Sequence, residues 1–226
     1  MTTEPQFDAP TLMEDLLLLL FQPRSGTIAG EGTLFYVLGG AVLADLALGE
    51  HLTTTDRGRV SSVADHPPSD GLLRPAWDYL AEKPRGVQTA LAAIGPALRK
   101  PVLERLIARG DIDQEPRKVL GLFRTTALRD GGTERRARLL ADVRQVLVDG
   151  AEPQARVAAL AALLSASGTL PQFHSEIPWT SEVIKRAKEL ERGDWGADAA
   201  AAAVTRTVTA TVVNSAVAAI TVLPRS

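Results

Sequence analysis

Arg99 and Lys100 open a helical stretch in which Arg105 and Arg109 follow, the last two one turn apart and so on a shared face. Basic side chains beside the free N–H groups of a helix start can hold a phosphate monoester through charge-assisted hydrogen bonds. Arg135, Arg136 and Arg138 form a second cluster of the same kind. The third candidate is apolar: Leu120, Leu122 and Phe123, flanked by Arg117, Lys118 and Arg124, make an apolar strand edged with positive charge. Exposed, such a strand leans into a lipid interface or a partner's groove; with Val119 and Leu122 turned inward it is ordinary core. Each basic cluster has a plainer reading too, a solvated helix face, and Glu104 offsets part of the first.

Other chemistry finds little support. The chain has no Cys, which removes disulfides, thiolate nucleophiles, iron–sulfur clusters and Cys-based zinc sites. Its three His residues, His51, His66 and His174, are not spaced to share a metal. Gly30-Glu31-Gly32 lacks the preceding strand and third Gly of a dinucleotide-binding turn, where Phe35 stands instead. No Ser sits in a G-x-S-x-G setting, and Glu14 and Asp15 lie where carboxylates simply complement a helix dipole. The expectation is a protein without catalysis, cofactor or metal.

The charge balance is uneven. The chain of 226 residues has a formal net charge of −2, with 45% hydrophobic and 23% charged residues, the composition of a globular protein. Between Arg99 and Arg144, twelve Lys and Arg face seven Asp and Glu, a surplus of +5, whereas the remainder carries −7. A basic middle in an acidic chain fits an anion-binding face. The overall pI near 6.0 argues against a nucleic-acid partner. Met1 to Pro10 has no signal-peptide pattern, the apolar run Leu16 to Phe21 is too short to span a bilayer, and Thr207 to Pro224 reads as a buried helix. Cytoplasmic residence follows as the expectation, with peripheral contact at the inner membrane face.

The elements that must position these residues are mostly helical. Thr11 with Glu14 fits a capping box opening a short helix, and Pro23 to Gly32 reads as a Gly-dense loop. Leu34, Val37, Leu38, Ala41, Val42 and Leu48 follow helical spacing with Asp45 as the polar exception, and Gly49 stops that helix. His51 to Thr55 and Val60 to Val63 flank the turn Asp56-Arg57-Gly58. A second helix-then-hairpin unit follows: helix over Pro101 to Ala108, then Ile112 to Gln114 and Val119 to Phe123 around a turn at Glu115-Pro116-Arg117-Lys118. Helix plus β-wing resembles a winged helix. Further helices are predicted over Gly71 to Glu82, Arg135 to Val148, Pro153 to Ser165, Thr180 to Arg192 and Asp198 to Val222, with Gly168 to Trp179 as loop. The fold class is mainly α: a flexible N-terminus over 1–10, then one compact helical domain over 11–226 with two small β-hairpins following helices.

Several of these stretches resemble the Golgi phosphoprotein 3 family. Leu12-Met13-Glu14-Asp15-Leu16-Leu17-Leu18-Leu19 with its Gly-bearing loop carries the likeness most specifically. Gly40 to Leu48, Val102 to Gly110 with its hairpin, Arg138 to Val148 and Ala158 to Ala166 continue it. The resemblance implies a mostly helical domain whose hairpin supports self-association. It also implies binding of phosphatidylinositol 4-phosphate, since eukaryotic members do so on Golgi membranes while acting as adaptors for glycosyltransferase tails. The chain lacks their long acidic N-terminal extension and looks like a prokaryotic relative. Of the family's four lipid-pocket positions only Arg99 is retained; Gly30, Gly39 and Pro96 stand where a Trp and two Arg are found.

The leading expectation is a non-enzymatic peripheral membrane protein. Arg99, Lys100 and Arg138 are its candidate contacts to anionic phospholipid headgroups. Leu120, Leu122 and Phe123 form its candidate membrane or oligomer hairpin, with homo-oligomerisation through 112–124. The alternatives are a soluble protein–protein adaptor or self-associating scaffold and, less favoured, a winged-helix nucleic-acid binder.

Overall fold

The computed structural model describes residues 9–55, 57–119, 123–193 and 210–218; within the hairpin, the side chains of 117–119 and 123–125 are not described. At its centre is α1 (Leu12–Leu20), a helix whose nine residues are all buried. Thr11 starts it with a complete capping box: the Thr11 hydroxyl accepts from the Glu14 N–H, and the Glu14 carboxylate accepts from the Thr11 N–H. Leu at six of the nine positions leaves no polar stripe for solvent, so this helix must be enclosed on every side.

α2 (Leu34–Leu48) is apolar all round for the same reason and packs along α1. Its small residues permit close neighbours: a Cβ at Gly40 would meet the Leu163 side chain at 2.9 Å. Around this pair stand α3 (Arg74–Ala81), α4 (Val87–Ile94), α5 (Arg99–Ala108), α6 (Arg135–Leu147), α7 (Ala155–Ala166) and α8 (Ser181–Glu191). α1 touches α2, α5, α6 and α7, whereas α2 reaches α4 and α7. Residues 210–218 add one more helical segment, which buries Val212, Val213, Ala216 and Val217. Among the described residues no helix is long and apolar enough to cross a membrane.

The mainly α architecture agrees with the sequence pattern, with differences in detail. Among the described residues three antiparallel hairpins are present rather than two, because the Gly-dense loop after α1 holds a pair of two-residue strands, β1 (Phe21–Gln22) and β2 (Thr27–Ile28). β3 (Leu52–Thr54) and β4 (Val60–Ser62) form the second, as their Thr and Val content predicts. The third is longer than expected: β5 (Ile112–Val119) pairs with β6 (Phe123–Asp130) from Ile112↔Asp130 to Val119↔Phe123. The Glu115-Pro116-Arg117-Lys118 turn is therefore corrected to strand, and the hairpin runs over 112–130 rather than 112–124. A two-stranded ribbon consists only of edges, where proline is tolerated, so Pro116 does not break it. α4 has no counterpart in the sequence reading. At Gly49 the helix does end, but Glu50, at φ 59°, is the left-handed residue.

One glycine sets the position of α5. A Cβ at Gly95 would lie 2.2 Å from the Phe35 carbonyl oxygen, so only glycine lets the short 3₁₀ turn Gly95–Ala97 lie against the first turn of α2. That contact brings the start of α5 up to the loop leading into α2.

The buried centre makes a direct prediction. Leu17→Ala, at a side chain with no solvent exposure, should cost about 2–5 kcal/mol of unfolding free energy through lost burial and the remaining cavity. Urea unfolding of the two proteins measures it.

Candidate functional site

Four of the twelve cations of the basic run, Arg105, Arg109, Arg135 and Arg136, turn inward. α1 carries Glu14 and Asp15 at its buried N-terminal end, and a buried carboxylate must find partners. Arg109, which caps the C-terminal end of α5, donates from Nε to Glu14 Oε1 at 2.6 Å, and Arg105 stands 3.6 Å from Glu14 Oε2 while its Nη1 pairs with Asp70. The i,i+4 spacing of Arg105 and Arg109 thus places both on the face that meets Glu14. Arg135, at the start of α6, bridges Asp15 at 2.6 Å and Asp111. Arg156 of α7 donates to Asp15 Oδ2 at 2.6 Å, to Asp45 Oδ1 at 3.0 Å and to the Pro10 carbonyl at 2.8 Å.

Asp45 also accepts the Leu12 N–H at 2.5 Å, so the carboxylate that interrupts the apolar pattern of α2 anchors the head of α1. Burial pushes its pKa up from 3.8 to about 7, against the pull of Arg156 and the Leu12 N–H. Burial works against the Arg156 charge as well, but Asp45 and Asp15 outweigh it and hold the guanidinium above its ordinary range. At the other end of α1, Arg136 donates to the carbonyls of Phe21 at 3.0 Å and Leu19 at 3.4 Å, closing acceptors that a helix end leaves open. Burial lowers the pKa of Arg136.

The candidate surface residues are separate from this network. Arg99 is half exposed and clasps Glu31 in a fork, Nε to Oε2 at 3.1 Å and Nη2 to Oε1 at 2.7 Å. Those hydrogen bonds raise the Arg99 pKa. Lys100 is 85% exposed, with Glu104 at 3.8 Å. Arg138 is exposed on α6 and donates to the Thr133 carbonyl at 3.4 Å; no ion pair joins it to a described residue. Leu120 and Leu122 lie outside the described residues. Phe123 opens β6 opposite Val119.

The hairpin is held at its base. Ile112 is fully buried and Leu128 packs against the core, while the turn between β1 and β2 abuts β6: a Cβ at Gly26 would lie 2.7 Å from the Leu128 carbonyl oxygen. Further out, residues 113–116 are exposed on β5, and Arg129 reaches diagonally across to Glu115 at 2.9 Å. Two of the glycines at which the resemblance places other residues lie close to neighbouring side chains. A Cβ at Gly39 would sit 3.2 Å from Leu91, and one at Gly30 would sit 2.9 Å from Thr169.

A cleft of about 490 Å³ beside α6 mixes Arg136 and Arg144 with Asp130, Glu134 and Glu176 over an apolar floor. Among the described residues no cluster of three or more His, Asp or Glu could hold a metal ion. Sequence reasoning missed Glu31 as the partner of Arg99, and Asp111 and Arg156 as members of the buried network. Asp45 alone carried a signal, as the acid in an otherwise apolar face.

The raised pKa of Asp45 fixes a sign. A carboxyl that holds its proton more tightly when folded stabilises the fold at low pH, and that contribution is lost as pH rises from about 4 towards about 7. Asp45→Asn keeps an acceptor for the Leu12 N–H and leaves Arg156 on Asp15. Urea-unfolding free energies at about pH 5 and about pH 7 should differ less in the variant, by up to ~1.4 kcal/mol for each pH unit in the window.

The Golgi phosphoprotein 3 (GPP34) family profile matches residues 12–207, which is most of the chain, and the chain belongs to that family. No curated protein matches it significantly.

Proposed function

We propose that this member of the Golgi phosphoprotein 3 family is a non-enzymatic peripheral membrane protein that engages anionic phospholipid headgroups. Arg99, Lys100 and Arg138 are its headgroup contacts, and the β5–β6 hairpin supplies its apolar contact. The observation that carries the reading is the hairpin: its base is buried at Ile112, residues 113–116 are exposed, and its far end carries Val119-Leu120-Gly121-Leu122-Phe123 between Arg117, Lys118 and Arg124. An apolar segment edged with cations matches an anionic bilayer surface, where apolar groups enter the interface and cations meet phosphate.

The ligand class is an anionic phospholipid rather than phosphatidylinositol 4-phosphate alone. Gly30, Gly39 and Pro96 stand where the resemblance places a Trp and two Arg, and none of them offers a side-chain donor. A second reading, self-association as a scaffold or adaptor, draws on the same ribbon. A two-stranded hairpin presents unpaired edges and gains stability from a further strand.

Flotation with anionic vesicles of phosphatidylglycerol or phosphatidic acid tests the proposal, with phosphatidylcholine vesicles as the neutral reference. Binding is expected at low ionic strength and should fade towards ~1 M salt. Lys100→Ala and Arg138→Ala should each weaken it by roughly fivefold, from about 1 kcal/mol per cation near the surface. Replacing Leu120, Leu122 and Phe123 together by Ser should abolish it. Absence of binding to either anionic vesicle at low salt would overturn the reading, and an oligomer lost on replacing those three residues would favour the scaffold.

A further inference from the structure

The Arg99–Glu31 pair stands apart from the other contacts of the basic region. Arg105, Arg109, Arg135 and Arg156 neutralise buried carboxylates. Arg74–Asp78 and Lys100–Glu104 join neighbours on one helix, and Arg129–Glu115 joins paired strands. Arg99–Glu31 links residues 68 positions apart, leaves both side chains about half exposed, and satisfies no buried group.

The geometry of the pair defines what Arg99 accepts. Two guanidinium nitrogens meet two oxygens of one anion, the fork arrangement that arginine offers equally to carboxylate and phosphate. Glu31 therefore occupies the position an anionic headgroup would take. It sits in the Gly30-Glu31-Gly32 loop before α2, and a Cβ at Gly32 would meet open space, so nothing packs that side of the loop. Exposed ion pairs contribute little to stability, so the carboxylate is displaced at small cost.

We propose that Glu31 is an internal competitor that sets the headgroup preference of Arg99. A carboxylate carries one negative charge. A phosphodiester headgroup also carries one and gains little by replacing it, whereas a phosphate monoester, with close to two at neutral pH, outcompetes it. Lys100, the next residue of α5, adds positive charge that the monoester can use. The resting chain thus biases Arg99 towards monoester lipids such as phosphatidic acid over ordinary diester lipids. The inference rests on the membrane reading above.

Flotation of wild type, Glu31→Gln, Arg99→Ala and the double variant on phosphatidic acid and phosphatidylglycerol vesicles of equal charge provides the test. Wild type should prefer phosphatidic acid. Glu31→Gln should raise binding to phosphatidylglycerol by at least threefold and narrow the preference, and in the Arg99→Ala background it should have no effect. Glu31→Ala gives a second route to the same result if the Gln variant folds poorly. Glycerol phosphate added to the wild type distinguishes a free phosphate monoester from a lipid-borne one: strong competition assigns the site to the soluble form, weak competition to the bilayer. If the wild type binds anionic vesicles but Glu31→Gln leaves the preference unchanged, the role of Glu31 is overturned while the membrane reading stands. If the wild type binds neither vesicle, both fall.

Discussion

A helix with no exposed side carries two carboxylates at its head, and the rest of the domain is arranged to neutralise them. Glu14 and Asp15 lie at the N-terminal end of α1, where the helix dipole favours negative charge but cannot replace water. Four arginines converge from three different helices: Arg105 from α5 and Arg109 from its C-cap, Arg135 from α6 and Arg156 from α7. Each of the two acids meets two arginines, so the three helices are bound to α1 by more than apolar contact. Arg136 meets the opposite end of α1 through its last carbonyls. The central helix is held at both ends by arginines of the surrounding helices.

That arrangement changes the meaning of the basic surplus. Counted along the chain, the middle region is a positive stretch in an acidic protein. Counted in space, three of its twelve cations, Arg105, Arg109 and Arg135, are internal counter-ions to acids located elsewhere in sequence, Glu14, Asp15 and Asp70 among them. Arg99, Lys100, Arg129 and Arg138 remain on the outside of this network. The outward-facing positive charge is smaller than the linear count implies, and at Arg99 it is already paired with a carboxylate.

The helical frame was legible because its signals are local. Thr11 with Glu14 announces the first helix, and the apolar periodicity of α2, α6, α7 and α8 places those helices within a few residues. The errors arose where pairing between distant residues decides the outcome. Glu115 to Lys118 looks like a turn because Pro116 and charged residues cluster there, yet eight cross-strand pairs extend the ladder through it. α4 is short, with only Val87, Ala90 and Leu91 buried, too few to set a period. For the candidate site, sequence identified basic residues but could not show their direction. Spacing put Arg105 and Arg109 on one face, and only the fold reveals that this face meets Glu14. Glu31 lies 68 residues from Arg99, and no local pattern joins them.

The length of the third hairpin has a mechanical consequence. From Ile112 to Val119 the ribbon rises by about 3.3 Å per residue, or roughly 23 Å, beyond its buried base. Screening in physiological salt limits electrostatic attraction to about 8 Å. A ribbon standing upright on a charged surface would hold the body's cations out of range, so its far end and the body would act one at a time. Lying flat, it brings both within reach together. The tilt of the ribbon, set by its fulcrum at Ile112 and Leu128, therefore decides whether the protein touches a surface at a single point or along a line.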